Sequence, residues 1–309
     1  MPAPGTSRAM AADSLHGLAL GDSFGERWFH RSSREALGMI RARQLPAEAP
    51  WHWTDDTAMA LTIVRALAMH GEIRPHTLAE LFGTAYRADP HRGYARGMTV
   101  LLPRLAADPR RWHAHAGALF GGQGSFGNGA AMRIAPLGAW FCHDLGLARE
   151  QARLAAAVTH AHPEGIAGAA AVAVAAALAA ASRGGDAPGP AEFLGRVAAA
   201  TAGQAGAVSG GLAAAASLTP GTPARQAADL LGSGQRVRAS DTVPFALWSA
   251  AHHLYDLPGA LWTTAEGLGD VDTTCAITAG VVAARTGLAD VPAPWLDRRE
   301  PLPDWVDEP

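Results

Sequence analysis

Apolar residues recur along this chain at spacings of three and four, and no stretch alternates apolar and polar residues with the period of two expected of a half-buried strand. Ala, Leu and Arg, all good helix formers, fill segments punctuated by Gly and Pro. The pattern predicts helices over residues 9–24, 55–70, 76–87, 93–106, 129–141, 146–158, 164–182, 190–202, 205–217, 222–232, 241–255, 257–267 and 273–286. One of them can be argued residue by residue. Thr54 can cap its start, Asp55 and Asp56 occupy the first turn where the helix dipole favours anions, and Met59, Ile63, Ala66 and His70 form one face. Gly71 then ends it. The Gly/Pro-rich piece 184–190 is a loop too short to separate domains, and no internal repeat is visible. The expectation is an all-α protein: one compact domain over residues 1–309, with its core over about 11–290. The tail, residues 291–309, is rich in Pro, Trp and acidic residues and is expected to wrap on the surface.

Composition narrows the function classes. Of the 309 residues 49% are hydrophobic and 17% charged, enough apolar material for a sizeable core. A net charge of −3 and a pI near 6.5 give no support for a broad nucleic-acid or anionic-membrane surface, though a few local arginines or a metal can still hold a small anion. The chain has no lysine, and that looks like compositional bias. The longest apolar run, Ile166 to Ala181, is mostly alanine and sixteen residues long, which reads as a buried helix of a soluble protein and not as a membrane span. The first 25 residues lack the pattern of a secretory leader. Cys142 and Cys275 match no metal or redox spacing and are expected as reduced thiols of a cytoplasmic protein.

The candidate chemistry lies in two acidic clusters about 215 positions apart: Trp53-Thr54-Asp55-Asp56-Thr57 and Gly269-Asp270-Val271-Asp272-Thr273-Thr274, each opening a helix. Asp and Thr at helix starts are also ordinary caps. Two such clusters together, each before an apolar helix, point instead to one shared site. Hard divalent cations take oxygen ligands. In an extended turn Asp270 and Asp272 would point to one side, with the Thr273 hydroxyl beside them. If the clusters face each other, they supply four carboxylates and at least two hydroxyls, enough for a two-metal centre.

Three further segments have chemical potential. The run Gly121 to Arg133, with Gly124, Ser125, Phe126, Gly127, Asn128, Gly129 and Met132 at its centre, lets a ligand approach the backbone closely and offers amide donors to phosphate. The helix start after it would add its positive end, and Phe126 can stack on a base or flank a ribose. The run matches neither the P-loop nor the dinucleotide fingerprint, since no strand precedes it. In Thr159-His160-Ala161-His162-Pro163-Glu164 no third zinc ligand follows at recognisable spacing, which leaves ligand-contacting or helix-capping histidines. In the N-terminal helix, Gly17, Gly21 and Gly25 repeat every four residues and would let another helix pack closely, with Asp22 and Glu26 sharing one face.

The motifs GLALGDSFGE (17–26), WTDDTAMAL (53–61), GNGAAMRIAPLG (127–138), THAHPEGI (159–166) and GDVDTTCAITAG (269–280) together resemble the ADP-ribosylglycohydrolase family, in that family's order and over about residues 11–287. The resemblance implies an orthogonal all-α multi-helix bundle with a binuclear Mg²⁺ centre in a cleft; Mn²⁺ can replace Mg²⁺, because oxygen ligands discriminate weakly between them. By matching motifs the metal ligands would be Thr54, Asp55, Asp56, Asp270, Asp272 and Thr273. Gly124 to Gly129 and Met132 would lie along ADP-ribose, and His160 near its phosphates or ribose. One position departs from the pattern: family members usually carry a glutamate seven residues after the aspartate of the first motif, where this chain has Phe29, and the nearest glutamate is Glu26.

The implied activity is hydrolysis of the N- or O-glycosidic bond at C1″ of the distal ribose in an ADP-ribosylated protein or small molecule, through an oxocarbenium-like transition state. Asp55 or Asp56 would orient the attacking water or take its proton, Asp272 would bridge the ions, and Glu26 is the candidate acid for the leaving group. Two other readings stay open on the residues alone. A two-metal phosphoester or nucleotide hydrolase would release AMP or phosphate. A non-catalytic, crystallin-like protein on this fold would be expected to lack a metal ligand.

Overall fold

The computed structural model describes residues 4–203 and 206–307. Among these the chain is all-α, with no strand, only isolated bridges between Trp51 and Arg299 and between Gly127 and Arg238. The first helices are α1 (Pro4–Glu26), α2 (Ser33–Arg41), α3 (Asp55–His70), α4 (Pro75–Ala88), α5 (Arg96–Ala107), α6 (Trp112–Gly117) and the short, kinked α7 (Leu119–Gly122). Then follow α8 (Ala135–Trp140), α9 (Leu145–Ala157), α10 (Pro163–Ala181), α11 (Pro190–Ala200), α12 (Gly206–Ser217) and α13 (Ala224–Leu231). The last are α14 (Ala239–His252), α15 (Leu257–Ala265), α16 (Val271–Thr286) and α17 (Ala293–Arg298).

The expected helices are present with ends moved by a few residues, and residue 205, where one of them was to start, lies outside the described residues. The helix expected over 129–141 is instead a 3-10 turn (Asn128–Ala130) followed by α8. Pro136 lacks the amide hydrogen that would bond back to the Met132 carbonyl, which disfavours an unbroken helix here, and it sits instead in the first turn of α8, where that hydrogen is not needed.

The glycine repeat of α1 does what its spacing predicts. α1 lies along α16 so closely that a Cβ on Gly17 would sit 2.7 Å from the Ala279 carbonyl oxygen, one on Gly21 2.8 Å from the Ala279 Cβ, and one on Gly25 2.7 Å from the Asp272 nitrogen. Backbone-to-backbone packing of this kind fixes the start of α16 relative to the end of α1. α10 is long and apolar enough to cross a membrane by length and composition, but 83% of its apolar window is buried inside the protein, against α8, α9, α14 and α16. Cys142 and Cys275 are both free and buried.

The tail does more than wrap the surface. Trp295 of α17 is 5% exposed and stacks on Phe24 of α1, with ring centroids 5.2 Å apart, and meets Trp51 and Trp262 edge-on. Each such ring contributes ~2–3 kcal/mol through its apolar area. The backbone then pairs with residue 51: Trp51 N–H donates to the Arg298 carbonyl at 2.6 Å and Glu300 N–H to the Trp51 carbonyl at 2.9 Å. The C-terminal segment is thereby tied beside the loop that leads into α3.

Candidate active site

The first acidic cluster is the start of α3. Thr54 caps it, accepting from the Asp56 N–H at 3.4 Å, with Asp55 and Asp56 in the first turn and both buried. The whole turn hangs from one side chain of α1. Asp22, fully buried, accepts from Thr54 N–H (2.8 Å), Thr54 Oγ1 (2.9 Å), Thr57 N–H (3.1 Å) and Thr57 Oγ1 (2.6 Å). Sequence reasoning placed Asp22 only on an acidic helix face. No local pattern around TDDT marked Asp22 as the acceptor of that turn.

The second cluster differs from its expected geometry. Asp270 and Asp272 do not alternate along an extended turn: α16 begins at Val271, so Asp270 is its N-cap and Asp272 and Thr273 lie in its first helical turn. The helix starts early because Thr274 N–H already bonds the Asp270 carbonyl at 2.9 Å. Asp270 accepts from Asn128 Nδ2 at 2.6 Å, and its own N–H donates to the Ser233 carbonyl at 3.0 Å. Asp272 accepts from the neighbouring Thr273 N–H at 2.7 Å.

The fold brings the two clusters to one cavity of about 370 Å³, into which Asp55, Asp56, Asp270, Asp272 and Thr273 all face. Its other walls include Ser125, Phe126, Gly127, Asn128, Gly129, Met132 and His160, so nearly every residue singled out in the sequence converges here. Gly124 lies behind that wall, buried, at φ +74°, with no room for a Cβ against the His162 nitrogen at 2.7 Å. A second cavity of about 500 Å³ adjoins the first through Asp55, Gly93 and Asp272, and Thr54 and Glu26 line this one. Phe29, at the departing position, is 46% exposed and lines neither.

The glycine-rich run is followed by a single 3-10 turn, so the expected helix dipole is nearly absent there. Asn128 turns its amide inward, to Asp270 and to Thr242 Oγ1 at 3.0 Å, and so links the glycine loop to the second cluster. His162 caps α10, accepting from Glu164 N–H at 3.1 Å, while His160 faces the cavity. Arg133, fully buried, donates to Thr159 Oγ1 at 2.7 Å, and Thr159 Oγ1 lies 2.8 Å from His160 Nδ1. Since arginine only donates, the Thr159 hydroxyl proton goes to Nδ1, and Nε2 bears the imidazole hydrogen beside Gly127 and Gly129. Burial, and then the nearby Arg133 charge, pushes the His160 pKa down to about 3, so it is a neutral donor.

Several cavity residues had no distinct signal in the sequence. Arg236 and Val237 come from the loop after α13, which pairs with the glycine run: Asn128 N–H donates to the Val237 carbonyl and Ala239 N–H to the Phe126 carbonyl. Phe120 comes from α7, in a left-handed conformation at φ 52°. Arg96 opens α5. The Gly232-x-Gly234 spacing was a usable hint of a tight loop; nothing marked Phe120 or Arg96.

The carboxylates are held against their own chemistry. Burial raises the Asp22 carboxyl to about 6, with its four hydrogen bonds pulling the other way. Burial and repulsion from Asp22 and Asp270 raise Asp55 to about 7, and burial with neighbouring carboxylates raises Asp56 and Asp272 well above the usual range. Asp56 Oδ2 is buried without any hydrogen-bond partner. An orphaned carboxylate oxygen among mutually repelling carboxylates is the donor chemistry a hard divalent cation satisfies.

The family model for ADP-ribosylglycohydrolases matches residues 3–308, and the chain belongs to that family. Among curated proteins it is similar to the ADP-ribosylhydrolase ARH3 of Bos taurus, 34% identical over 187 residues (55% of this chain, 51% of the relative), and to that of Homo sapiens, 31% identical over 166 residues (50% of this chain, 46% of the relative). The matched region thus spans about half the length of these relatives. A solved ADP-ribosylglycohydrolase-related protein complex shares the fold, with a TM-score of 0.63, 22% identity and coverage of 96% of this chain and 94% of that one.

Proposed function

We propose that this chain hydrolyses ADP-ribose conjugates at C1″ of the distal ribose, releasing ADP-ribose, with magnesium held by the two acidic turns. The observation that supports this most is the meeting of Asp55, Asp56, Asp270 and Asp272, from opposite ends of the chain, in one cavity beside the glycine run and His160. In this reading the nucleotide lies on the glycine side, where Phe126 offers an aromatic face and His160 Nε2–H a donor. Departure of the acceptor leaves positive charge on the ribose, which the wall of carboxylates favours electrostatically. Magnesium, when bound by Asp55, Asp56, Asp270, Asp272 and the Thr54 and Thr273 hydroxyls, would supply Lewis-acid polarisation and lower the pKa of a water. Asp55 or Asp56 would orient the attacking water and take its proton. The acceptor lies toward the second cavity, where burial raises the Glu26 carboxyl and suits it to protonate the leaving atom.

The test is ADP-ribose release from arginine-linked, serine-linked and O-acetyl-ADP-ribose, each with Mg²⁺, with EDTA and with Asp272→Ala. Metal-dependent release from at least one substrate is expected, reduced at least a hundredfold in the variant, an order of magnitude typical of losing a main electrostatic group. Release of AMP or phosphate instead would make the chain a phosphoester hydrolase. Normal activity and Mg²⁺ affinity in Asp272→Ala would overturn the mechanism.

A further inference from the structure

Arg92, between α4 and α5, spends its hydrogen bonds in two directions. Toward α3, its Nη1 donates to the Trp53 carbonyl at 3.1 Å, its backbone carbonyl accepts from Asp55 N–H at 2.7 Å, and its guanidinium lies 3.5 Å over the Trp53 ring. Away from it, Nη1 and Nη2 donate to the two oxygens of Glu300 at 2.8 Å each, and Nε donates to Asp89 at 2.6 Å. His52 Nδ1 lies 3.0 Å from the same Glu300 carboxylate. The Asp55 amide is one of the first N–H groups of α3, which no helical carbonyl can satisfy. Its partner is therefore the carbonyl of a residue whose side chain is clamped from the C-terminal segment.

Building on the reading of the cavity as an ADP-ribose site, we propose that Glu300 and Arg92 are positioning residues: the C-terminal segment braces the turn that carries Asp55 and Asp56. Three features favour this over an ordinary ion pair. Glu300 and Arg92 side chains are each only 19% exposed, and the pair is bidentate, the geometry in which such a contact has orientation as well as energy. Both ends of the brace are anchored independently, Glu300 by its backbone bond to Trp51 and Arg92 by Asp89. And Gly93, next along the chain at φ +87°, lines both cavities, where a Cβ would lie 3.8 Å from Asp55 Oδ1. Loss of the Glu300 charge leaves Arg92 held by Asp89 and Trp53 without its clamp from the C-terminal segment, and the first turn of α3 loosens while the helical core stays intact.

The experiment is hydrogen exchange on the full chain with Glu300→Gln, Arg92→Gln and the double variant, alongside calorimetric affinities for Mg²⁺ and ADP-ribose. Exchange in a peptide spanning residues 53–57 is expected to quicken about tenfold in Glu300→Gln, with α10 unchanged, and both affinities to weaken about tenfold. In the Arg92→Gln background the Glu300 change should add little, because one acts through the other. Unchanged exchange at 53–57, equal acceleration in α10, or additive effects would overturn the brace. If the wild-type chain binds no ADP-ribose, the functional reading fails, while the exchange measurement still decides the brace.

Discussion

At the start of α3, Asp55 and Asp56 are buried and hang from a side chain, whereas at the start of α16, Asp270 and Asp272 are half-buried and are placed largely by backbone. Asp22 gathers four donors of the first turn into one carboxylate. The second turn is held by several smaller contacts: the Ser233 carbonyl, the Asn128 amide and the close approach of Gly25 to the Asp272 backbone. A turn that must keep two carboxylates out of water needs a concentrated polar anchor, because each unsatisfied donor left by a shift would be buried. All four carboxylates face the cavity, but Asp270 and Asp272 are the more exposed pair, and their turn can be set by packing and scattered contacts. The first arrangement should therefore fail abruptly and the second by degrees.

The sharpest way to break this contrast is Asp22→Ala. It leaves the Thr54 and Thr57 donors without partners, at an expected cost of about 2–4 kcal/mol in denaturant unfolding, with ADP-ribose release at least a hundredfold slower. Relief of Asp22's repulsion on Asp55 and Asp56 offsets part of the loss. Wild-type stability and activity in this variant would mean the first turn is not hung from Asp22. Gly25→Ala comes next. Its Cβ has no room at the Asp272 nitrogen, so α1 and α16 must part, with about 1–3 kcal/mol lost and Mg²⁺ affinity down roughly tenfold. A thermal midpoint and affinity equal to wild type would show that the helices give way freely. Asn128→Ala should be mildest, about 1 kcal/mol and a few-fold weaker Mg²⁺ binding, because Asp270 keeps its bond to Ser233. If it proved as damaging as Asp22→Ala, the second turn would be no more distributed than the first.

Much of this was legible in the residues. Helix content followed from periodicity, and the Gly17-Gly21-Gly25 repeat correctly announced a close helix partner without naming it. Ser32 and Glu35 have capping-box spacing, and Ser32 Oγ accepts from Glu35 N–H at 3.3 Å at the start of α2, a helix outside the periodicity-based expectation. Other signals were absent. Trp295 reads like a tail residue because its partners, Phe24, Trp51 and Trp262, lie far away along the chain.

The sequence by itself determined most of the helical segments, the cap of α3, and that two carboxylate turns and a glycine run are available for chemistry, because capping, periodicity and backbone freedom are local. Only the tertiary structure decided what those groups do. It made anchors of Asp22 and Asn128, set Thr54 and Glu26 in the adjoining cavity, and drew Glu300 in from the tail to hold Arg92. Those outcomes depend on which distant donor meets which buried acceptor, and a desolvated polar group takes its partner from across the fold, where no local pattern can specify it.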